Sequence, residues 1–253
     1  MGAGRGARWL GEGWQLFRAA PLGWLALVLA YWLLMIVVSL VPYAGGAAAA
    51  VLVPAFSVGF MAAARAAERG ARVELALLFE GLRRAPGPQL VLGVAYLLCL
   101  GVVLAATALA DGGALAGWML TGRRPDEETL QSGAFQAAMA IAALLYLPVM
   151  AMFWFAPLLA GWHAVAPAKA LFFSAVACLV NWRAFLAYGA VAALVSFALP
   201  FLVLFGLMLA SGGALRGPAM GLAFPLLIFL LPSLFASFYV SYRDVFAAQP
   251  EGV

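Results

Sequence analysis

The chain is poor in almost every residue type that does chemistry. Its 253 residues include one histidine, His163, one lysine, Lys169, and two cysteines, Cys99 and Cys178, and only 9% are charged. Cys99 and Cys178 sit in apolar stretches without further ligands at metal-binding spacing, so neither a disulfide framework nor a metal centre follows, and both read as buried free thiols. His163 has no Cys or carboxylate neighbour at helical spacing and reads as an interfacial residue. Ser-His-Asp, Cys-His, HExxH and GxSxG arrangements and phosphate-binding glycine loops are all missing, so the sequence predicts no enzyme and no cofactor.

Charge is scarcest along six long apolar stretches, Pro21 to Pro42, Ala44 to Ala64, Pro88 to Ala110, Phe135 to Trp162, Phe185 to Ala210 and Pro218 to Tyr242. None carries Asp, Glu, Lys, Arg or His deep inside it. Each is long enough for a helix to cross roughly 30 Å of hydrocarbon. Proton relays, ion-coupled transporters and intramembrane hydrolases place ionisable groups at that depth, and this chain offers none. With 67% hydrophobic residues and a mean hydropathy of +1.06, almost nothing remains for a soluble domain. The whole chain, 1–253, therefore reads as one integral membrane domain. The apolar run from Leu22 to Val41 exceeds the roughly 7 to 15 residues of a signal-peptide core, so it reads as a retained helix.

The net charge of +4 and pI near 9.4 do not point to nucleic acid, because the basic residues are spread over short connectors with no surface on which to form a groove. Their distribution encodes topology instead. The N-terminal leader, the segments Arg65 to Arg84 and His163 to Arg183, and the C-terminal tail hold Arg5, Arg8, Arg18, Arg65, Arg69, Arg72, Arg83, Arg84, Lys169, Arg183 and Arg243, whereas the alternate loops hold only Arg123, Arg124 and Arg216. The positive-inside rule then places both termini in the cytoplasm.

Each cytoplasmic segment carries an amphipathic stretch. Leu10, Trp14 and Phe17 oppose Arg8, Glu12, Gln15 and Arg18; Leu75, Leu78, Phe79 and Leu82 oppose Glu74, Glu80, Arg83 and Arg84; Phe172, Ala175, Val176 and Leu179 oppose Lys169, Ser174 and Asn181. These predict three interfacial helices, with Arg18, Arg83, Arg84, Lys169 and Arg183 placed to meet lipid headgroups. The returning spans share intramembrane prolines, Pro54, Pro157 and Pro232, and the fourth span adds Pro148, so all four mark expected kinks. One reading is three repeats of interfacial helix, outward span and inward span. The other is that leaders and prolines of this kind recur in polytopic proteins without any repeat. Ser233, Ser237 and Ser241 fall at i, i+4 and i+8, a polar stripe that either lines a path for a solute or lets helices approach closely. The exposed loop from Asp111 to Gly133 carries Pro125-Asp126-Glu127-Glu128, a helix-starting run more than a cation site.

The run Trp154-Phe155-Ala156-Pro157-Leu158-Leu159-Ala160-Gly161-Trp162, followed by Ala168-Lys169-Ala170-Leu171-Phe172-Phe173-Ser174 and Asn181-Trp182-Arg183-Ala184-Phe185, resembles an uncharacterised family of proteobacterial inner-membrane proteins, as does Gly13-Trp14-Gln15-Leu16-Phe17-Arg18 with Pro21 and Trp24. More distantly, the chain is similar to the six-helix membrane domain of some bacterial glycerophosphodiester phosphodiesterases, without their catalytic barrel. The resemblance implies an all-α bundle in the bacterial inner membrane and carries over no activity. The expectation is a non-enzymatic membrane protein that organises or handles lipid or an envelope component, with membrane lipids as its partners; the alternative is a transporter or channel for a small neutral or amphiphilic solute.

Overall fold

In a computed structural model, residues 1–212 and 230–247 are described, and among them there is no strand. The helices are α1 (Ala3–Ala19), α2 (Pro21–Ser39), α3 (Gly45–Glu68), α4 (Glu80–Arg84), α5 (Pro86–Asp111), α6 (Ala114–Thr121), α7 (Glu127–Gln131), α8 (Gly133–His163), α9 (Pro167–Val180), α10 (Trp182–Ala193), α11 (Leu199–Ala210) and α12 (230–242). A wider π turn, Leu194–Ala198, joins α10 to α11. It ends two residues before Pro200, whose missing N–H leaves the Ser196 carbonyl without its usual donor. Among the described residues five helical stretches are long and apolar enough to cross a bilayer: Pro21–Ser39, Gly45–Glu68, Pro86–Asp111, Gly133–His163 and Trp182–Ala210. The expected sixth stretch, 218–242, lies partly outside the described residues, which show its last part, 230–242, as helix.

The chain divides into two compact units. One comprises Met1–Leu33, Val58–Glu80 and Ala177–Val253; the other comprises Leu34–Ser57 and Gly81–Val176. In the first, α1 lies so close to α10 and α12 that only glycine fits: a Cβ on Gly6 would strike the Ala184 carbonyl, and one on Gly13 would strike the backbone at Ser233 and Ser237. Small residues at such crossings let dispersion forces act where hydrocarbon supplies no hydrophobic drive. Around them Trp9 packs on Phe185 and Tyr188, and Phe60 stacks on Phe235 at 4.0 Å. α3 is the most enclosed span, 61% buried against 22% or less for the other four.

In the second unit α5 and α8 run antiparallel, joined by Gln89 to the Pro157 carbonyl (2.8 Å) and by the paired hydroxyls of Tyr96 and Tyr146 (3.0 Å). The Ser174 hydroxyl of α9 reaches into α8. It accepts from the Phe155 N–H (2.9 Å) and donates to the Ala151 carbonyl (2.7 Å), the two groups that a regular helix pairs with each other. Pro157 follows two residues later and offers no N–H to the Phe153 carbonyl, so the weak turn of α8 is held by α9 on one side and α5 on the other. Pro54 and Pro148 also lie inside continuous helices, and Pro232 falls within α12.

Three expectations are corrected. On α1 the buried face is Gly6, Trp9, Leu10, Gly13 and Phe17, while Trp14 is exposed. The second stretch is not one amphipathic helix but a 3-10 turn, Leu75–Phe79, followed by the five residues of α4. The backbone of Leu78 lies against Gly59 and draws the Leu78 side chain inside, leaving Leu75 and Phe79 exposed. On α9, Phe172, Phe173, Val176 and Leu179 face outward, on the side opposite Ser174, while Ala170, Ser174 and Cys178 are buried. In lipid a hydroxyl gains more from a protein partner than an apolar side chain does, so the helix turns its polar side in. Finally, the loop 111–133 folds. Gly112 and Gly113 take left-handed conformations so that the Asp111 carboxylate can cap α6, whose Leu115 packs against Phe135 and Ala138, and Asp126 caps α7 through the Thr129 N–H.

A Cβ on Gly93 would collide with the Val51 carbonyl, whereas Gly101, two turns along α5, has nothing within 4 Å. Gly93→Ala should therefore destabilise the protein by about 1–3 kcal/mol or more, and Gly101→Ala should be neutral or slightly stabilising. Thermal unfolding of the two variants in detergent micelles makes the comparison.

Candidate functional site

With hydrocarbon closed to charge, the ionisable side chains collect at the helix ends, and in the first unit five of them form one network. Arg5 of α1 pairs with Glu12, one helical face along, and with Asp244, 239 residues away in sequence. Arg243 pairs with Glu12 (2.6 Å), with Glu68 at the end of α3, and more loosely with Asp244 (3.8 Å). The Trp9 indole N–H donates to Asp244 at 2.7 Å, and the Tyr239 hydroxyl donates to Glu68. Asp244 is the deepest member, its side chain 9% exposed. Burial alone would raise its carboxyl, but the hydrogen bonds from Arg5 and Trp9 and the charges of Arg5 and Arg243 outweigh burial and hold it below the ordinary value of 3.8. Arg5 is raised in turn by its bonds to Asp244 and Glu12. Beside this network Arg65 pairs with Glu80 at 3.1 Å.

The network forms one wall of a cleft of about 710 Å³, lined by Arg8, Glu12, Gln15, Glu68 and Arg243 over a floor of Ala7, Gly11, Leu16, Ala67 and Val240. Arg8 stands one turn before Glu12, the usual position for an i,i+4 pair. Both Glu12 oxygens are already engaged by Arg5 and Arg243, so Arg8 makes no ion pair among the described residues and only its Nε bonds the Gly4 carbonyl (3.2 Å).

The second unit holds a different cavity, about 660 Å³, between the α2–α3 turn, α5 and α6. Leu40, Pro42, Ala47, Leu97, Leu104 and Met119 dominate its wall, which contains no ionisable side chain other than the phenol of Tyr43. Deeper in this unit, Gln89 is fully buried, and its Oε1 accepts no hydrogen bond among the described residues.

The residues singled out from sequence fall elsewhere. Arg18, Arg83, Arg84, Lys169 and Arg183 are all exposed and none belongs to the charge network; Arg183 lies over the Trp182 ring at 5.4 Å. Ser233, Ser237 and Ser241 are buried, with Ser237 bonded to the Tyr188 hydroxyl at 2.7 Å and Ser241 to its own helix backbone. No cluster of three potential metal ligands occurs among the described residues. Sequence reasoning passed over Asp244, Glu68, Gln89 and the bridging role of Ser174. The usable signal was rarity: in so uncharged a chain, each carboxylate at a span end needs a cation.

Because the Asp244 carboxyl is depressed, it contributes stability above its unfolded value that is lost as pH falls through its folded one. Thermal stability should be flat at neutral pH and fall below about pH 4, and Asp244→Asn should flatten that acid limb while lowering neutral stability by about 1–3 kcal/mol. A pH series of unfolding temperatures for the two proteins checks both.

No family model and no solved structure matches the sequence. The chain is 41% identical, over 262 aligned positions covering all of it and 94% of the relative, to a probable inner membrane protein of Burkholderia thailandensis. Nothing in these comparisons links it to the membrane domains of glycerophosphodiester phosphodiesterases.

Proposed function

Because the chain belongs to the family of that Burkholderia protein and carries five membrane-length helices, it is an inner-membrane protein, and we propose that it holds and organises lipid without enzymatic chemistry. The observation that carries this reading is the 660 Å³ cavity of the second unit, whose lining side chains are mostly aliphatic. Its size is that of an ordinary small-molecule site, but it has no convergent polar groups to orient a reacting substrate. An acyl chain needs none. The outward Phe172, Phe173, Val176 and Leu179 of α9 and the exposed Arg18, Arg83, Arg84, Lys169 and Arg183 support the same reading, since together they suit a boundary between hydrocarbon and anionic phosphates.

In this proposal the chain crosses the membrane six times, the sixth through 218–242, with both termini in the cytoplasm. The 11 to 3 distribution of basic residues supports that orientation. The order of a short element followed by two long ones, in α1–α2–α3 and again in the α4 region with α5 and α8, is compatible with a repeat whose short members have diverged. The burial of Ser237 against Tyr188 favours lipid handling over solute transport, because a conducted solute needs hydroxyls that are wet. Membrane-impermeant labelling of a cysteine in place of Thr129 should occur only from the periplasmic side; labelling from the cytoplasm would overturn the topology.

The lipid assignment has its own test. A Cβ on Gly101 meets open space, so Gly101→Leu should fill the cavity without straining the helix. A phospholipid carrying a diazirine in its acyl chain should crosslink to the Leu97–Leu104 stretch, and Gly101→Leu should lower that yield several-fold while leaving crosslinks at the outward Leu186 unchanged. Equal yields in the two proteins would defeat the reading.

A further inference from the structure

The cleft of the first unit has a charge arrangement that a simple anion or cation site lacks. Its network sets the carboxylates of Glu12, Glu68 and Asp244 against the guanidiniums of Arg5 and Arg243, leaving one negative charge in excess. Arg8 and Gln15, on the α1 face that lines the same cleft, supply a cation without an ion pair among the described residues and a neutral amide. A purely anionic ligand would be drawn to Arg8 but repelled by Glu12 and Glu68. A purely cationic one would meet the reverse. A ligand with phosphate and ammonium a few bonds apart satisfies both sides.

The location selects the source of such a ligand. α1, the Glu68 end of α3 and the Val240–Arg243 end of α12 are where the charged residues begin and the apolar runs stop, which is the headgroup level of a bilayer. Leu16, Val240 and Ala67 give the cleft an apolar floor against which glycerol and the first methylenes can lie. Ala7, Gly11 and Ala67 keep it wide, and a Cβ on Gly11 would meet nothing within 4 Å.

We infer that this cleft receives the phosphoethanolamine headgroup of phosphatidylethanolamine from the adjoining leaflet, the phosphate on Arg8 and Gln15 and the ammonium on Glu68, each of whose carboxylate oxygens accepts one bond and keeps a further acceptor site. This deepens the lipid-handling reading and rests on it, but concerns a different cavity from the acyl-chain pocket. A primary ammonium can donate to carboxylates, whereas a quaternary one cannot. The cleft therefore discriminates phosphatidylethanolamine from phosphatidylcholine as well as from anionic phosphatidylglycerol.

Native mass spectrometry of the full chain in micelles supplemented with each of these three lipids reads the preference directly. Phosphatidylethanolamine should be retained about tenfold better than the other two, the effect of one charge-assisted hydrogen bond. Arg8→Gln should abolish most of that preference and Arg8→Lys should restore part of it; Arg8 is exposed and makes no ion pair among the described residues, so folding should be unaffected. Gly11→Leu, which narrows the cleft without touching a charge, should also abolish it. Equal retention of the three lipids, a preference for phosphatidylglycerol, or a phosphatidylethanolamine preference unchanged by both Arg8→Gln and Gly11→Leu would overturn the inference. If acyl crosslinking near Gly101 persisted in that case, only the headgroup assignment would fall; if the crosslinks vanished while headgroup selectivity held, the acyl-pocket reading would fall instead.

Discussion

Hydrocarbon offers no hydrogen bonds, and the structure is arranged around that fact. A polar group drawn into the spans gains most by finding its partner in the protein or by taking one from a neighbouring backbone. Ser174 does so most plainly, placing its hydroxyl between the Phe155 N–H and the Ala151 carbonyl of α8 just before Pro157 removes another donor. Gln89 does it from α5 by donating to the Pro157 carbonyl. A helix weakened by two prolines is thereby made part of a three-helix arrangement within its unit. The same constraint accounts for the glycine crossings, because without a hydrophobic drive the helices gain only from close approach. It also accounts for the charge network, since ionisable groups kept out of the spans are crowded together at their ends.

The parts of the fold readable from sequence are those that depend on composition over a long window. Five of the six expected stretches coincide with helices to within a few residues, and the Asp126 helix start was visible in its Pro-Asp-Glu-Glu run. The misread parts depend on which side of a short helix faces protein. For α9 the apolar face with Phe172 and Leu179 was legible as a lipid-facing side, but the burial of Ser174 was not, because its partners lie on another helix. On α1 periodicity put Trp14 on the apolar face and passed over Trp9; the clash-free approach of Gly6 and Gly13 to α10 and α12 selects Trp9 instead, and that lies in tertiary structure.

The candidate sites were less legible than the fold. The contacts that tie Asp244 and Arg243 to Arg5, Glu12 and Glu68 join residues 175 to 239 positions apart, beyond the reach of any local pattern. Arg8 looked like one more charge on a polar face; what distinguishes it is that Arg5 and Arg243 have already taken its natural partner, Glu12. The apolar cavity near Gly101 has no sequence signature at all, because aliphatic residues lining a void look the same as those filling one.

A lipid-organising protein and a solute carrier make different demands on the same uncharged interior. The carrier needs a wet path, and the hydroxyl stripe of α12 is the obvious place for one; the structure instead packs Ser233, Ser237 and Ser241 inside the protein, with Ser237 tied to Tyr188. The most direct test is the rate at which a water-phase thiol reagent modifies Ser233→Cys, Ser237→Cys and Ser241→Cys, each in the membrane-embedded protein. The account predicts slow modification at all three, comparable to that of the buried Cys178. Rapid modification of all three would contradict it and establish a hydrated path through the last helix.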